Sequence, residues 1–387
     1  MSGQRDRSKT WRPINADLIG VPGGALRVTT PALMLDLPAL RANLATMTKL
    51  CADAGFNMRP HAKTHKSSDL AKLQIEYGAL GVCCATPHEA IALAHGGVPS
   101  IHITTPVVQP RHFEELARLH NDGLSLMVAI DHPAQLAQWQ KVLDGSARKL
   151  PMLVDIDIGM KRTGVATVAD AVAIAKGIAA LAQASYAGAQ AYSGMVQHIN
   201  DYAERRKVYG AQLDRLAETL EALVAAGLKP AIVSGGGTGT FAIDVERTLY
   251  TEVQVGSYVF MDVEYNAVQF FADRPNPYET SLYLRTSVVN TNADGQVSIN
   301  AGFKSFATDG PLALLMGEAQ RGNTFALYGD EFGRVVLGAG AAKPALGSPI
   351  DLITPHCDPT VNLHDCFHVV ENDTIVDIWP VVARGTL

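Results

Sequence analysis

The chain has 387 residues, of which 47% are hydrophobic and 18% charged, a composition that is typical of globular proteins and excludes intrinsic disorder. A formal net charge of −6 argues against nucleic acid as the main partner. We find no apolar stretch long enough to span a bilayer and no signal peptide at the N-terminus. Five cysteines, none in a CxxC pair, indicate a reducing compartment, so we expect a soluble, cytoplasmic protein.

Short apolar runs alternate with longer stretches of helical period over the first 270 residues. An opening run at 32–36 leads into a predicted helix at 37–54. Eight further strands are predicted at 56–62, 80–85, 100–104, 124–130, 151–157, 187–192, 230–234 and 252–256. Because parallel strands need crossover connections, this alternation predicts an α/β fold with a parallel sheet. Eight units favour a closed (β/α)8 TIM-type barrel, and an open doubly wound sheet is the alternative.

The sequence changes in character after about Phe271, where the Pro-rich segment ADRPNPYE predicts a domain boundary. Beyond it, β-rich runs are separated by turns such as Asp294-Gly295, which predicts antiparallel strands. We therefore expect an N-terminal arm at 1–29 that packs on the β domain, a barrel at 30–271 and an all-β domain at 272–387.

The segment RPHAKTHK, at 59–66, follows the first of these eight strands. In barrels, catalytic groups lie at the carboxyl ends of strands. One interpretation is that Lys63 forms a Schiff base, because a neighbouring positive charge and desolvation lower the pKa of a lysine and make it nucleophilic. The alternative is that Lys63 and Lys66 are solvated residues of a loop.

A glycine-rich segment, SGGGTGT at 234–240, follows the predicted strand at 230–234. Glycines let backbone N–H groups converge on an anion, and barrels commonly bind phosphate after their seventh and eighth strands. The residues 256–258 end the next strand and offer a further N–H and a hydroxyl. The segment is not a P-loop, because no Gly-Lys-Ser/Thr follows, and the alternative is a plain tight turn.

His356, Cys357 and Asp358 lie between two prolines, so we expect this segment to be extended. Residues i and i+2 of an extended chain point the same way, which would present the imidazole of His356 and the carboxylate of Asp358 together, with Cys357 facing away. These groups suit Zn²⁺, Mn²⁺ or Mg²⁺ and leave coordination positions open. The alternative is a loop in which the histidine and aspartate are incidental.

Three further residues are candidates. Arg162 follows the strand at 151–157, where a cation can face a cofactor ring, although a surface arginine is the ordinary expectation. His198 follows Tyr192 and is a candidate base or stacking ring, or else a structural histidine. Asp309 is a candidate for a contact across an interface or for capping a turn.

RPHAKTHK, the barrel alternation, SGGGTGT with VGSYVF, and H-x-D near the C-terminus together resemble the D-threonine aldolase/D-serine dehydratase family. This family is the metal-assisted branch of the alanine racemase-like (fold type III) pyridoxal-phosphate enzymes. The resemblance runs from about Thr30 to about Val382. It implies an alanine racemase-like barrel with a C-terminal β domain, and a homodimer in which the β domain of one subunit closes the active site of the other.

The resemblance also implies roles for individual residues. Lys63 corresponds to the lysine that binds pyridoxal 5'-phosphate covalently, and His198 is the candidate catalytic base. The residues expected around the cofactor are Arg162, Tyr192, Gly236, Gly237, Thr238, Gly256, Ser257 and Tyr258. His356 and Asp358 correspond to the ligands of a divalent metal, Mg²⁺ or Mn²⁺ in the first place and Zn²⁺ as the alternative. Aldolases of the family resemble this chain in having His-x-Asp, whereas dehydratases have His-x-Cys.

These implications make the expected activity a retro-aldol cleavage of a β-hydroxy amino acid, with 3-hydroxy-D-aspartate giving glycine and glyoxylate as the first expectation. The alternatives are cleavage of D-threonine, dehydration of D-serine or 3-hydroxyaspartate, and a protein that binds pyridoxal phosphate without catalysis.

Overall fold

The structure is a computed structural model that describes residues 13–385, and it divides into two compact units. The unit that we call the barrel unit comprises Arg41–Glu279 with the residues after Val381. The unit that we call the β unit comprises residues 13–40 together with Thr280–Val381. None of the helices in the described part of the chain is both long and apolar enough to cross a bilayer.

The chain begins its regular structure with strand β1, Ala32–Asp36, followed directly by helix α1, Leu37–Ala54. The strands of the barrel unit are β2 Asn57–Met58, β3 Val82–Cys84, β4 Ser100–Ile103, β5 Ser125–Ile130, β6 Leu150–Asp155, β7 Ala184–Ala191, β8 Ile232–Gly235 and β9 Glu252–Val253. Its further helices are α2 Ser68–Glu76, α3 Pro87–His95, α4 Pro110–Asn121, α5 Pro133–Val142, α6 Val168–Ala180, α7 Tyr202–Ala225, α8 Phe241–Arg247 and α9 Val263–Asn266.

The eight strands of the barrel unit pair in parallel in the order β2-β9-β8-β7-β6-β5-β4-β3. The two ends of this order meet, because His61 forms a parallel bridge with Cys83 and the Cys83 N–H donates to the Pro60 carbonyl at 2.8 Å. The sheet therefore closes into a barrel, which confirms the predicted fold class. Each of the eight predicted strands has a counterpart here.

The helices of the barrel unit begin where the sequence provides helix-start signals. Pro87, Pro110 and Pro133 each occupy the first turn of a helix, where the missing N–H is not needed. Their apolar faces pack on the strands around fully buried aromatic residues; the rings of Phe113 and Trp139 lie 4.9 Å apart in an edge-to-face arrangement. This packing fixes the strand ends from which the loops leave.

The β unit contains β10 Leu282–Asn290, β11 Gln296–Ile299, β12 Leu314–Leu315, β13 Thr324–Leu327, β14 Gly333–Val336, β15 Pro349–Ile353, helix α10 Cys357–Val361, β16 Cys366–Glu371 and β17 Thr374–Pro380. The main path of its sheet is β13-β14-β11-β10-β1-β16-β17, and β15 pairs with both β10 and β12. All of these pairs are antiparallel except β1 with β16. The expectation of an antiparallel C-terminal domain is thus confirmed.

The first boundary differs from the expected start of the barrel at residue 30. Strand β1 pairs with β10 and β16 and therefore belongs to the sheet of the β unit. An apolar run does not reveal its partners when these lie some hundreds of residues later in the chain. Of the expected arm at 1–29, residues 13–29 bond to the same unit, since the N–H groups of Gly20 and Ala25 donate to carbonyls in and next to β17. Residues 1–12 lie outside the described part of the chain.

The second boundary lies after Glu279 and not after residue 271. The Pro-rich segment packs on the barrel unit through Tyr278, whose ring lies 6.1 Å from that of Tyr258 and 5.8 Å from that of Phe270. Asn43 of α1 also bonds both the N–H and the carbonyl of Glu279. The turn-rich composition of this segment indicates that a domain ends nearby, but it does not identify the last residue that packs on the barrel unit.

Candidate active site

The predicted residues of the barrel unit all follow the carboxyl ends of its parallel strands, and so lie at one end of the barrel. Lys63 follows β2 and Arg162 follows β6. Tyr192 and His198 follow β7. The glycine-rich segment follows β8, and residues 256–258 follow β9.

Lys63 lies in a single turn of 3-10 helix, Ala62–Thr64, and its side chain is half-buried. Its backbone N–H points to Nδ1 of His61 at 3.4 Å, while Nε2 of His61 lies 3.2 Å from the Thr104 hydroxyl. His65 is fully buried, and its ring bonds the Ser67 N–H and the Gln74 side chain. The two histidines therefore fix the backbone on either side of Lys63.

Lys66 is not a solvated loop lysine. Its side chain is buried, and its Nζ lies 3.3 Å from Glu89 and 3.5 Å from the Ala383 carbonyl. Its φ of +50° is in the left-handed region, which a lysine adopts only where the surrounding contacts impose it. Since Glu89 balances its charge, Lys66 is a structural residue.

The glycine-rich segment is held by side chains that the sequence analysis did not identify. Oε1 of Gln197 accepts the Gly239 N–H at 2.9 Å, and the Thr240 hydroxyl accepts the Gly237 N–H at 3.0 Å. A Cβ at Gly237 would lie 2.6 Å from the Gln197 amide oxygen, so a larger residue does not fit there. Gly236 has a φ of +64°, which also favours glycine.

Three backbone N–H groups at this end of the barrel have no acceptor among residues 13–385: those of Thr238, Gly256 and Ser257. A Cβ at Gly256 would lie 2.8 Å from the Thr64 hydroxyl, so a residue with a side chain does not fit at this position. The two loops that carry these groups touch each other, since the Tyr258 N–H donates to the Thr238 hydroxyl. Unsatisfied N–H groups on two neighbouring loops fit an anion such as phosphate.

Tyr258 does not offer a hydroxyl to this cluster. The side chain is fully buried, and its hydroxyl accepts a hydrogen bond from the Gln74 amide at 3.2 Å. Its backbone N–H donates to the Thr238 hydroxyl at 3.2 Å. Within the segment 256–258, Tyr258 thus holds the Thr238 side chain through its backbone N–H, while its own hydroxyl faces Gln74.

Arg162 and Tyr192 lie together, with the guanidinium 5.8 Å from the centre of the tyrosine ring. Arg162 is exposed and Tyr192 is half-buried. At this distance the cation attracts the face of the ring weakly. The pair combines a charge with an aromatic face at the end of the barrel where the glycine-rich segment lies.

His198 is paired with a residue that the sequence analysis missed. Its Nδ1 lies 3.5 Å from a carboxylate oxygen of Glu264, in α9, and its ring meets that of Tyr265 edge-to-face at 4.9 Å. Its side chain is 37% exposed. A carboxylate at Nδ1 favours the tautomer in which Nε2 accepts a proton, which is the form that a general base requires.

A buried carboxyl at the end of β6 was also missed. Burial raises the pKa of Asp155 to about 6, and a hydrogen bond from Gln190 opposes that shift. The Gln190 amide donates to Asp155 at 3.0 Å and to the Thr104 carbonyl at 2.6 Å. The spacing of these residues, 35 and 86 positions apart, gives no local signal in the sequence.

The β unit carries His356 and Asp358. His356 is extended, as predicted, but Cys357 begins helix α10, so the expectation that the whole segment is extended is wrong. The reason is that Pro359 lies in the first turn of the helix, where it removes no helical hydrogen bond. The Cys357 side chain is buried, with its Sγ 3.4 Å from a carboxylate oxygen of Asp358.

His356 has a partner in Asp309, whose carboxylate lies 2.8 Å from Nδ1. A carboxylate at one ring nitrogen is the usual arrangement for a histidine that binds a metal through the other. Within residues 13–385 there is no group of three or more His, Cys, Asp and Glu side chains arranged to hold a metal ion. His356 and Asp358 are therefore not part of a larger cluster of such side chains within the described residues.

Two family models match this chain, one mainly in the barrel unit and one in the β unit. The alanine racemase N-terminal domain matches residues 35–264, and the serine dehydratase domain matches residues 281–370. The second match includes His356 and Asp358.

Curated relatives align over nearly the full length. A 3-hydroxy-D-aspartate aldolase of Paracoccus denitrificans is 34% identical over 96% of this chain and 96% of its own. A D-threonine aldolase of Arthrobacter is 36% identical over 94% of this chain and 95% of its own. A D-threo-3-hydroxyaspartate dehydratase of Delftia is more distant, at 24% identity over 92% of this chain and 97% of its own.

A solved structure is also similar to this chain over nearly its full length. The crystal structure of a D-threonine aldolase from Filomicrobium marinum superposes with a TM-score of 0.87 at 33% identity, covering 93% of this chain and 96% of that one. The chain therefore belongs to the alanine racemase-like family of pyridoxal-phosphate enzymes that contains the D-threonine and 3-hydroxy-D-aspartate aldolases, which are lyases.

Proposed function

We propose that this protein cleaves the Cα–Cβ bond of a β-hydroxy-D-amino acid by a retro-aldol reaction, with 3-hydroxy-D-aspartate as the preferred substrate and glycine and glyoxylate as products. The observation that carries the proposal is the position of Lys63 at the same barrel end as the unsatisfied N–H groups of Thr238, Gly256 and Ser257, in a chain with full-length similarity to two aldolases. A lysine and an anion site at one end of a barrel fit a phosphorylated aldehyde.

The residues present fit pyridoxal 5'-phosphate. Lys63 would hold its aldehyde carbon, and the N–H groups of Thr238, Gly256 and Ser257, next to Gly236 and Gly237, would hold its phosphate. Arg162 and Tyr192 would lie beside the ring. When bound, the cofactor supplies an electron sink for the electron pair left by bond cleavage.

We propose that His356 and Asp358 bind a divalent metal, Mg²⁺ or Mn²⁺ before Zn²⁺. Imidazole and carboxylate are borderline-to-hard ligands, and two of them leave positions for a substrate. The Asp309 carboxylate at Nδ1 supports this role, since it orients the ring of His356. When bound, the metal supplies a charge that lowers the pKa of a coordinated hydroxyl.

His198 is the residue that we propose as the base. Glu264, 3.5 Å from Nδ1, orients the ring and stabilises the imidazolium that forms when Nε2 takes the proton of the β-hydroxyl. The edge contact with Tyr265 limits rotation of the ring. Lys63, which would hold the cofactor's aldehyde carbon, is the group that we propose to return a proton to Cα.

A dehydratase would use the same cofactor and metal but expel the hydroxyl group. This chain matches the serine dehydratase domain at residues 281–370 and is also similar over nearly its full length to two aldolases, so the domain match does not separate the two activities. The aspartate at position 358, where family dehydratases have cysteine, favours the aldolase, as does the lower identity to the dehydratase of Delftia.

The test is product analysis. Purified protein loaded with pyridoxal phosphate and Mn²⁺ is incubated with 3-hydroxy-D-aspartate and, separately, with D-threonine, and glyoxylate, acetaldehyde, keto acid and ammonia are measured together. Glyoxylate and glycine in equal amounts from 3-hydroxy-D-aspartate, at a higher kcat/KM than for D-threonine, is the expected result. Keto acid with ammonia would identify a dehydratase, and no turnover of any β-hydroxy amino acid would favour a protein that only binds the cofactor.

The proposal includes a homodimer and a cytoplasmic location. The β unit exposes large apolar side chains at Phe303, Leu312, Tyr328 and Phe332, which fit a surface covered by another subunit. All five cysteines are free thiols, which is typical of a reducing compartment. Light scattering on the purified protein measures the mass, and a monomer at all concentrations would contradict the homodimer.

A further inference from the structure

Asp244 is a fully buried carboxyl directly behind the glycine-rich segment, and the proposed reaction gives it no role. It lies in α8, and its Oδ2 is so close to Gly236 that a Cβ on that glycine would lie 2.4 Å away. The Thr240 hydroxyl donates to the same oxygen at 2.9 Å. Asp244 therefore touches the segment that would hold the phosphate of the cofactor.

The contacts continue from Asp244 to the backbone N–H groups of the segment. The Thr240 hydroxyl, which donates to Asp244, accepts the Gly237 N–H at 3.0 Å. The Gln197 amide reaches the same hydroxyl at 3.3 Å and, through its oxygen, the Gly239 N–H. Gly237 and Gly239 flank Thr238, whose N–H has no acceptor within residues 13–385. Asp244 thus fixes the hydroxyl that orients these peptide groups.

Among residues 13–385, no positively charged group influences the Asp244 carboxyl. The titratable groups that face it within the described residues are the hydroxyls of Tyr209, from α7, and Tyr250, from the loop before β9. These hydroxyls lie 3.1 Å apart, and that of Tyr250 donates to the Ala191 carbonyl at 3.1 Å. Burial raises the pKa of both tyrosines, so both stay neutral. A buried carboxyl with only neutral neighbours favours its protonated form.

We propose that the carboxyl of Asp244, in its neutral form, positions Thr240 and Gly237 for binding of the cofactor's phosphate, and that ionisation of Asp244 weakens this binding. The neutral acid accepts the Thr240 hydrogen bond without placing a negative charge behind the phosphate. The ionised acid would keep the same position and repel a phosphate dianion held by the neighbouring N–H groups. This inference rests on the proposed function, since it assumes that a phosphorylated cofactor binds here.

The pH range follows from the same environment. Burial raises the pKa of Asp244 to about 8, and hydrogen bonds from Thr240, Tyr209 and the Gly237 N–H limit the rise. The phosphate of the cofactor has its second pKa near about 6 and is a dianion throughout this range. The repulsion therefore appears as the pH rises through about 8, while the charge of the ligand stays constant.

The test compares pyridoxal 5'-phosphate with pyridoxal, which lacks the phosphate. Apoprotein is titrated with each ligand at about pH 7 and about pH 9.5, and the ratio of the two affinities is followed by cofactor absorbance. Both ligands use Lys63 in the same way, so the ratio removes the pH dependence of that bond. We expect the ratio to fall about tenfold or more in the unmodified chain, since each pKa unit of coupling is a factor of ten.

Variants assign the effect to the residue. Asp244→Asn keeps the shape and the acceptor oxygen but does not ionise, so its ratio is expected to change less than about twofold over this range. Asp214→Asn is the matched control, because Asp214 is an exposed carboxylate in α7 that pairs with Arg247, the last residue of α8. This variant is expected to behave like the unmodified chain.

A ratio that does not change with pH in the unmodified chain would overturn the inference, and that measurement stands even if Asp244→Asn fails to fold. An equal fall in Asp244→Asn would assign the titration to another group and also overturn it. Failure of both ligands to bind at neutral pH would overturn the proposed function and the inference with it, whereas binding of both with a constant ratio overturns the inference alone.

Discussion

The barrel unit and the β unit hold their candidate residues in opposite ways. Around Lys63 and the glycine-rich segment, buried side chains such as Gln197, Lys66 and Glu89 fix the backbone through contacts that solvent does not reach. In the β unit, His356 is supported by Asp309, which is 54% exposed. The first arrangement is pre-organised by many contacts and the second depends on a few side chains, so single substitutions should affect them differently.

Within the barrel unit, Lys63 differs from its supporting residues because it would bind the cofactor itself. Its substitution therefore has the largest expected effect. Lys63→Ala removes the amine that binds the cofactor, so turnover should fall by about 10⁴-fold or more and the absorbance of the lysine-bound cofactor should disappear. Lys66→Met changes a lysine three residues further along the chain and leaves Glu89 buried without its cation. It should destabilise the protein by about 3–5 kcal/mol in urea unfolding and keep that absorbance. Retained absorbance in Lys63→Ala would contradict the assignment.

The metal residues test the β unit. His356→Ala and Asp358→Ala each remove half of the proposed donor set, so we expect turnover to fall by about 10²–10⁴-fold while pyridoxal phosphate still binds. Mn²⁺ affinity is measured by calorimetry. Cys366→Ser is the control, because Cys366 lies in β16, outside the segment that contains His356 and Asp358, and the Mn²⁺ affinity of this variant should stay close to that of the unmodified chain. Undiminished Mn²⁺ affinity in both alanine variants would show that the metal binds elsewhere.

Asp309 has a smaller expected effect. Asp309→Asn removes the charge at Nδ1 of His356 but leaves His356 itself, so Mn²⁺ affinity should fall by about 10–100-fold. Activity should recover at high Mn²⁺ concentration, which distinguishes a positioning residue from a ligand. Activity that stays low at saturating Mn²⁺ would show that Asp309 has another role.

Substitution of Asp155 has the smallest expected effect, and it tests the buried contacts of the barrel unit. Its pKa is raised to about 6 by burial, above the usual value, so the carboxyl favours the folded state in its protonated form. This contribution to the free energy of unfolding is fully present below the pKa that Asp155 has in the unfolded chain, and it is lost as the pH rises through about 6. Urea unfolding of the apoprotein should therefore lose about 1 kcal/mol more between pH 5 and 7 in the unmodified chain than in Asp155→Asn. Equal losses in the two proteins would show that Asp155 is ionised throughout.

Much of the fold follows from periodicity alone. The eight barrel strands and most helices are predicted because each element carries its own apolar pattern and start signals, as at Pro87 and Pro133. The errors concern pairing and packing. Strand β1 joins the β unit through partners far along the chain, and the segment before Glu279 packs on the barrel unit despite its turn-rich composition.

The candidate site divides in the same way. Residues at strand ends, such as Lys63 and the glycines after β8, are found from their position relative to predicted strands. Their partners are not, because Gln197, Glu264 and Asp309 act through contacts with residues 42, 66 and 47 positions away. No local pattern marks such pairs, so the supporting residues emerge only when the chain is folded.

The most direct test of the account is to identify the lysine that binds the cofactor. The holoprotein is reduced with borohydride, digested, and analysed by mass spectrometry, which places the pyridoxyl label on one residue. The account predicts the label on Lys63, at the half-buried turn after β2. A label on Lys66, or no label on any lysine of the segment 59–66, would contradict it.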